Sequence, residues 1–241
     1  MSLRYACAEP SVRTRGIARA AEVLGEQRLV VLPTDSVYGL AADAFSREGV
    51  HALQRARGQG SGPPPPVFVP RPRTLDGLAS GVSQMVRALS ECFWPGPLSL
   101  LCLAQPTLDW GLDSNTVLLR MPLHPVALEL LDRTGPLAVT SATRVGGPPC
   151  LMIDDAQYDF GDDVEVYLDA GPLSGGLAST VVDGTGEVPR VLRAGALSLE
   201  ELRAVVPEVL GLGDAAGEAP RQAASDRQAG SDRQTTGESG S

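Results

Sequence analysis

The chain contains 241 residues, 43% hydrophobic and only 4% aromatic, so Val, Leu and Ala must fill most of the core of one large domain. Its 20 strongly basic side chains are all arginines, and the net charge of −9 argues against non-specific nucleic-acid binding, which requires a basic surface. No segment resembles a signal peptide or reaches membrane-spanning length, so we expect a cytoplasmic protein without membrane contact.

Short apolar runs alternate with helical patterns as far as about residue 210, which indicates an α/β domain. Strands are predicted at Leu29–Pro33, Val67–Val69, Leu98–Leu103, Thr116–Met121, Leu137–Thr140, Val164–Leu168, Ser179–Val182 and Arg190–Leu192. Helices are predicted at Arg47–Arg57, Ser83–Glu91, Pro125–Asp132 and Glu200–Val206. The irregular order of these elements favours a mixed sheet over a simple doubly wound one. Glycines and prolines predict a loop at residues 58–66.

The C-terminal segment, residues 211–241, differs in composition from the rest of the chain. It nearly repeats the units SDRQAG and SDRQTT, and no apolar residue larger than alanine follows Leu212. Such a segment cannot bury enough surface to offset its ordering entropy. We therefore predict one domain at residues 1–210 and a disordered low-complexity tail at 211–241.

Six motifs follow one another along the predicted domain. The first, PTDSVYGL at Pro33–Leu40, comes after a predicted strand, where α/β proteins place ligands. The others are FWPGPLS at 93–99, RMP at 120–122, TSA at 140–142, STVVD at 179–183 and LRAG at 192–195. In this order they resemble the signatures of the threonylcarbamoyl-AMP synthase, or YrdC-like, family. The resemblance extends from about residue 15 to 210.

The resemblance implies a YrdC-like domain in which helices flank a twisted mixed sheet with a concave pocket for nucleotide and amino acid. It implies synthesis of threonylcarbamoyl-AMP and pyrophosphate from L-threonine, bicarbonate and ATP, with Mg²⁺ accompanying ATP. The product would pass to a complex that transfers threonylcarbamoyl to tRNA adenosine. We assign no protein side chain as a metal ligand.

Individual site residues follow from the motif matches. The resemblance places four residues at threonine: Ser36, Arg120, Ser141 and Ser179. It places five residues at ATP: Arg57, Gln59, Thr116, Thr143 and Arg193. We expect Arg57, Arg120 and Ser141 to be catalytic. For Arg120 a surface ion pair is the alternative, but a charge inside the apolar run VLLRMP favours an anion-binding role, because a guanidinium fork matches a carboxylate.

The chain departs from the family on the ATP side. Counting back from the strand at Val67–Val69 puts Arg57 at the family's motif lysine and Gln59 at its arginine, which removes one cation. A shifted alignment places Arg55 and Arg57 at those positions and keeps both charges. Thr143 replaces an asparagine, and Arg144 adds a basic side chain. Arg144 either recovers the phosphate charge lost at Gln59 or is solvated, and we favour the solvated interpretation.

These departures leave three hypotheses. The chain is an active synthase with a modified phosphate site, a diverged paralogue that acts on another carbamoyl or amino-acid substrate, or a non-catalytic protein that binds nucleotide or RNA. The acidic balance does not support RNA binding, and the family resemblance favours the first hypothesis.

Overall fold

The computed structural model describes residues 2–58, 62–112 and 114–214. The strands are β1 (Leu3–Ala6), β2 (Val30–Pro33), β3 (Tyr38–Asp43), β4 (Val67–Phe68), β5 (Ala79–Ser80), β6 (Leu98–Ala104), β7 (Thr116–Arg120), β8 (Leu137–Ser141), β9 (Val166–Asp169), β10 (Thr180–Asp183) and β11 (Arg190–Arg193). The helices are α1 (Pro10–Gly25), α2 (Arg47–Ala56), α3 (Leu75–Leu78), α4 (Gln84–Phe93), α5 (Pro125–Thr134), α6 (Ile153–Phe160) and α7 (Leu199–Val205). Among these residues, no helix is both long and apolar enough to cross a bilayer.

All the described strands belong to one mixed sheet, in the order β1-β9-β2-β3-β8-β4-β7-β6-β10-β11, with β5 paired to β6. Strands β2 and β3 form an antiparallel hairpin, whereas β4–β7 and β6–β10 pair in parallel. The predicted α/β fold with a mixed sheet is therefore confirmed. Each predicted strand and helix is present, with bounds that differ by a few residues at most.

Apolar side chains pack on both faces of the sheet. Ala41 of β3 contributes to a cluster with helices α1 and α5, whereas its neighbours Leu40 and Ala42 contribute to a cluster with α2 and α6 on the opposite face. This alternation is expected of a strand buried on both sides. Helices α4 and α7 pack over the other half of the second face, in a third cluster that includes Val117 and Leu119 of β7. Leu118, between these two residues, points to the first face.

Helix ends are defined by local side-chain hydrogen bonds. Ser46 precedes α2 and accepts from the Gly49 amide, and Ser83 precedes α4 and accepts from the Val86 amide. Ser198 and Glu201 form a reciprocal capping box at the start of α7. These serines satisfy amides that the helices themselves leave without acceptors.

The segment after α7 is partly described. The carboxylate of Asp214 accepts from the Gly211 amide at 2.7 Å and from Arg203 at 2.8 Å. Arg190 of β11 donates to the Asp214 carbonyl at 2.6 Å. Residues 211–214 of the predicted tail are thus attached to the domain, and residues 215–241 lie outside the described residues.

Candidate active site

A cavity of about 260 Å³ lies on the first face of the sheet, and we call it the central cavity. Its floor includes Phe68, Leu118 and Val139 from three adjacent strands. Its polar wall residues come from strand ends and turns: Thr34, Ser36, Ser99, Arg120, Thr140, Ser141, Ser179 and Arg193. Six strands separated in sequence therefore supply one pocket that combines hydroxyl groups with guanidinium groups.

The turn of the β2–β3 hairpin forms one wall of this cavity. Thr34 donates to the Val37 carbonyl at 2.6 Å and accepts from the Ser36 amide at 3.2 Å. The two bonds hold the turn in shape, so that Ser36 lines the cavity. Beside it, a Cβ at Gly39 would lie 2.7 Å from Val139 Cγ1, so only glycine allows β3 to approach β8 this closely.

Arg120 ends β7 and is only 7% exposed. Its Nη2 donates to Asp35 Oδ2 at 2.6 Å, its Nε donates to the Gly96 carbonyl at 3.3 Å, and its guanidinium carbon lies 5.8 Å from the centroid of the Phe68 ring. Burial lowers the pKa of Arg120, and the nearby Asp35 carboxylate opposes that change. The alternative of a surface ion pair is not what the structure shows, because the pair with Asp35 is largely buried. Arg120 lines the central cavity, and its Nη1 has no hydrogen-bond partner among the described residues.

The opposite wall is formed by Ser99, Ser179 and Arg193. The two serine hydroxyls are 2.8 Å apart and almost fully buried. Arg193 donates from Nη2 to the Ser179 carbonyl at 2.9 Å and to the Ser179 hydroxyl at 3.2 Å. The segment just after β11 approaches this wall closely, since a Cβ at Gly195 would lie 2.3 Å from the Ala178 carbonyl oxygen.

A smaller cavity of about 120 Å³, the Arg57 cavity, is lined by Leu53, Gln54, Arg57, the prolines 63–66 and Thr140. Pro66 and Thr140 also line the central cavity, so the two cavities adjoin. Arg57 follows α2 and donates to the Thr140 hydroxyl at 2.7 Å and to the Thr143 carbonyl at 3.0 Å. Burial lowers the pKa of this guanidinium from its ordinary value.

Arg55 lies elsewhere. It lines a third cavity, of about 340 Å³, together with Gln27, Arg28 and Asp163. This cavity shares no lining residue with the two cavities described above. The shifted alignment would place Arg55 at the phosphates. The observed position of Arg55 therefore favours the first alignment, in which Arg57 is the one cation that this motif supplies.

Of the other predicted ATP residues, Arg193 lines the central cavity, whereas Thr116 and Thr143 do not. Thr116 is four residues before Arg120 on β7 and shares its face, about 13 Å away along the strand. Thr143 is 7% exposed and lines neither the central nor the Arg57 cavity, but its carbonyl holds Arg57. Gln59 lies outside the described residues. The interpretation of Arg144 as solvated is incomplete, because its guanidinium donates to the Asp159 carbonyl at 2.7 Å.

Besides Thr34, which shapes the hairpin turn, sequence reasoning missed three residues of this site: Asp35, Ser99 and Thr140. Asp35 and Ser99 stand inside the motifs PTDSVYGL and FWPGPLS, so their positions were available as signals. Thr140 stands beside Ser141, one residue earlier in β8. The contacts of all three bridge residues distant in the chain, such as Arg57 and Thr140, and no local pattern encodes those contacts.

This arrangement suits a small anionic ligand. Two arginines line the central cavity, and the Asp35 carboxylate neutralises one of them in the absence of ligand. Guanidinium groups bind carboxylate and phosphate oxygens, and surrounding hydroxyls can orient the bound group. Within the described ranges, no three His, Cys, Asp or Glu side chains converge as metal ligands.

Comparison with known proteins gives consistent matches. Residues 22–195 match the family model of Sua5, YciO and YrdC proteins, which carries the description "Telomere recombination". A Mycobacterium tuberculosis protein provisionally assigned as a threonylcarbamoyl-AMP synthase is 47% identical over 214 residues, which are 88% of this chain and 97% of that protein. The threonylcarbamoyl-AMP synthase of Bacillus subtilis is 33% identical over 204 residues, covering 82% of this chain and 58% of the relative.

Solved structures match as well. The crystal structure of Pyrococcus abyssi Sua5 complexed with L-threonine has a TM-score of 0.76 and 32% identity. That alignment covers 84% of this chain and 62% of the Pyrococcus chain. The matched part of this chain therefore spans about three fifths of the Bacillus and Pyrococcus relatives and almost the whole length of the mycobacterial relative.

Proposed function

This chain belongs to the Sua5, YciO and YrdC family, as its six motifs indicated, and we propose that it is a threonylcarbamoyl-AMP synthase. It joins L-threonine, bicarbonate and ATP to give threonylcarbamoyl-AMP and pyrophosphate, for the N6-threonylcarbamoyladenosine modification of tRNA. The observation that carries the proposal is the convergence of Ser36, Arg120, Ser141 and Ser179 on one cavity, in a fold whose Pyrococcus relative binds L-threonine.

Threonine occupies the central cavity in this proposal. Arg120 binds the carboxylate through the guanidinium edge that Asp35 does not use, because bonds to Asp35 and Gly96 hold the rest of the fork in place. The hydroxyls of Ser36 and Ser141 face the same space and suit the amino and hydroxyl groups of threonine. The volume of about 260 Å³ suits an amino acid rather than a whole nucleotide.

ATP approaches from the side of the Arg57 cavity, so that its phosphates meet the threonine adduct near Thr140, which lines both cavities. Arg57 and Arg193 are the cations available for the phosphate oxygens. Thr116 lies on the same face of β7, at a distance that ATP can span. Mg²⁺ enters as part of the substrate MgATP, held mainly by phosphate oxygens, as is usual for this ion.

The chemistry then depends on placement. The threonine amine and bicarbonate form a carbamate with loss of water. A carbamate oxygen attacks the α-phosphorus, the bond from that phosphorus to the bridging oxygen breaks, and pyrophosphate leaves with the electron pair. The cavity contributes by holding the carbamate in line with the α-phosphate and by stabilising the charge that develops on the phosphate oxygens.

The fate of the product belongs to the same proposal. The adenylate passes to a separate complex that transfers threonylcarbamoyl to tRNA in the cytoplasm. The chain itself requires no extended basic surface for this role, which agrees with its net charge of −9.

The test is pyrophosphate release from ATP and Mg²⁺, with threonine and bicarbonate added together or one at a time. We expect release only when both are present, and a marked loss in Arg120→Ala. Arg87→Ala is the matched control, because Arg87 forms an exposed ion pair with Asp76 and lines none of the three cavities. Threonine binding without pyrophosphate release would favour the non-catalytic hypothesis. Release that does not depend on threonine would favour a paralogue with another substrate.

A further inference from the structure

The Ser99 hydroxyl has no role in the function described so far. Ser99 is the second residue of β6, is 3% exposed and lines the central cavity. Its only hydrogen bond to a side chain among the described residues is the 2.8 Å contact with the Ser179 hydroxyl. A buried hydroxyl carries one donor and two acceptor sites, and such donors are normally satisfied.

Arg193, which contacts Ser179, favours one direction for the hydrogen bond between Ser179 and Ser99. Arg193 can only donate, so the Ser179 oxygen accepts from the guanidinium at 3.2 Å. An oxygen that accepts from a cation becomes polarised, and its own hydrogen becomes a stronger donor. This polarisation favours the direction in which the Ser179 hydrogen is donated to Ser99, although the distance alone fits either direction. The Ser99 hydrogen is then left without an acceptor among the described residues and is available to the cavity.

From this chain of donors we infer that Ser99 is an additional substrate-contacting residue, which donates the terminal hydrogen bond of the series Arg193–Ser179–Ser99 to an acceptor oxygen of the substrate. This inference rests on the proposed function. The acceptor is a carboxylate-type oxygen, because the same cavity holds two guanidinium groups. Either the threonine carboxylate or the carbamate derived from bicarbonate supplies such an oxygen, and the experiment separates them.

The experiment compares Ser99→Ala with Ser99→Thr, which keeps the hydroxyl. The readouts are threonine affinity by calorimetry without ATP, the KM values for threonine and bicarbonate in pyrophosphate release, and the melting temperature. Ser90→Ala is the control, since Ser90 is equally buried but donates to the Arg87 carbonyl within α4. If Ser99→Ala does not fold, Ser99→Cys replaces it, because a thiol keeps the volume and is a weak donor.

We expect Ser99→Ala to weaken the binding of one substrate about threefold to tenfold, which is the range for one hydrogen bond. Ser99→Thr and Ser90→Ala should bind both substrates about as well as the wild type. A loss seen in calorimetry identifies the threonine carboxylate, and a loss confined to the bicarbonate KM identifies the carbamate. Ser179→Ala breaks the series at its middle, so the double variant with Ser99→Ala should be no worse than the poorer single variant.

Two results overturn the inference while the proposed function stands. One is an active wild type whose Ser99→Ala variant keeps both KM values and the threonine affinity. The other is a loss in Ser179→Ala alone, which would mean that Ser99 donates to Ser179 and not to the substrate. A wild type that neither binds threonine nor releases pyrophosphate overturns both the function and the inference.

Discussion

The carboxylate of Asp35 lies 2.6 Å from Nη2 of Arg120, and the two groups form a largely buried ion pair beside the central cavity. The other carboxylate oxygen of Asp35 accepts from the Leu123 amide at 3.2 Å, which ties the segment after β7 to the β2–β3 turn. The pair neutralises Arg120 when no ligand is bound, and it fixes which edge of the guanidinium faces the substrate.

Replacing Asp35 by Asn should therefore affect both stability and threonine binding. Removing one member of a buried pair leaves an uncompensated charge, which costs about 3 kcal/mol of unfolding free energy. We expect threonine to raise the melting temperature of Asp35→Asn more than that of the wild type, because its carboxylate then supplies the missing charge. Denaturant unfolding measures the loss of unfolding free energy, and thermal unfolding with and without threonine measures the shift in melting temperature. Asp76→Asn, which breaks the exposed pair with Arg87, should change little. Equal threonine effects in Asp35→Asn and the wild type would contradict a shared carboxylate site.

Arg57→Ala should abolish formation of the adenylate and leave threonine binding largely intact. The reason is that Arg57 lines the adjoining cavity on the ATP side, whereas Ser36 and Arg120 line the threonine side. Pyrophosphate release and threonine calorimetry measure the two effects separately. Arg55→Ala is the control, two residues away in the third cavity, and should retain activity. Loss of activity in Arg55→Ala as well as in Arg57→Ala would favour the shifted alignment, in which both arginines meet the phosphates, and wild-type activity in Arg57→Ala would contradict the prediction.

Gln59→Arg should increase the affinity for ATP, because it restores the cation that the family resemblance implies at this position. A hydrogen bond to a charged group contributes about 1.5–3 kcal/mol. ATP affinity measured by calorimetry is the readout, and unchanged affinity would show that residue 59 does not reach the phosphates.

Thr143→Asn should behave differently from Gln59→Arg. Thr143 is buried, lines neither the central nor the Arg57 cavity, and its hydroxyl oxygen would be only 2.6 Å from a Cβ placed on Gly147. We expect the longer amide side chain to lower the melting temperature and to leave ATP affinity close to the wild type. A gain in ATP affinity would instead show that residue 143 contacts the nucleotide.

Truncation after Asp214 should leave the melting temperature unchanged, whereas truncation after Leu210 should lower it. Residues 215–241 contain no apolar side chain larger than alanine, so they have little to bury. Asp214, in contrast, receives hydrogen bonds from Gly211 and Arg203, and its carbonyl accepts from Arg190. A fall in melting temperature with the longer truncated chain would mean that the tail docks on the domain.

The strands that the sequence predicted are those with continuous apolar runs. TVLLRM and LVVLP are rich in β-branched and leucine residues, so they stand out from their surroundings as β7 and β2. Strand β3 reads YGLAAD and was missed, because glycine and alanine have low strand propensity and only the pairing with β2 and β8 orders them. Helix α1 was missed because its buried face includes Gly16 and Ala20, which give only a weak apolar pattern.

The site was predictable to the extent that its residues sit in motifs. Ser36, Arg120, Ser141, Ser179 and Arg193 were assigned from the resemblance, and the structure brings these five residues to one cavity. The partners that hold them were not predictable. Asp35 is 85 residues from Arg120, and Ser99 is 80 residues from Ser179, so these pairs exist only once the sheet has formed.

The walls of the central cavity come from strands that are neighbours in the sheet but distant in the chain. A ligand bound there contacts the N-terminal and the C-terminal halves of the fold at the same time, so any opening that separates those strands must first release it. Threonine should consequently slow amide hydrogen exchange across the whole sheet, from β3 to β10, rather than at the contact residues alone.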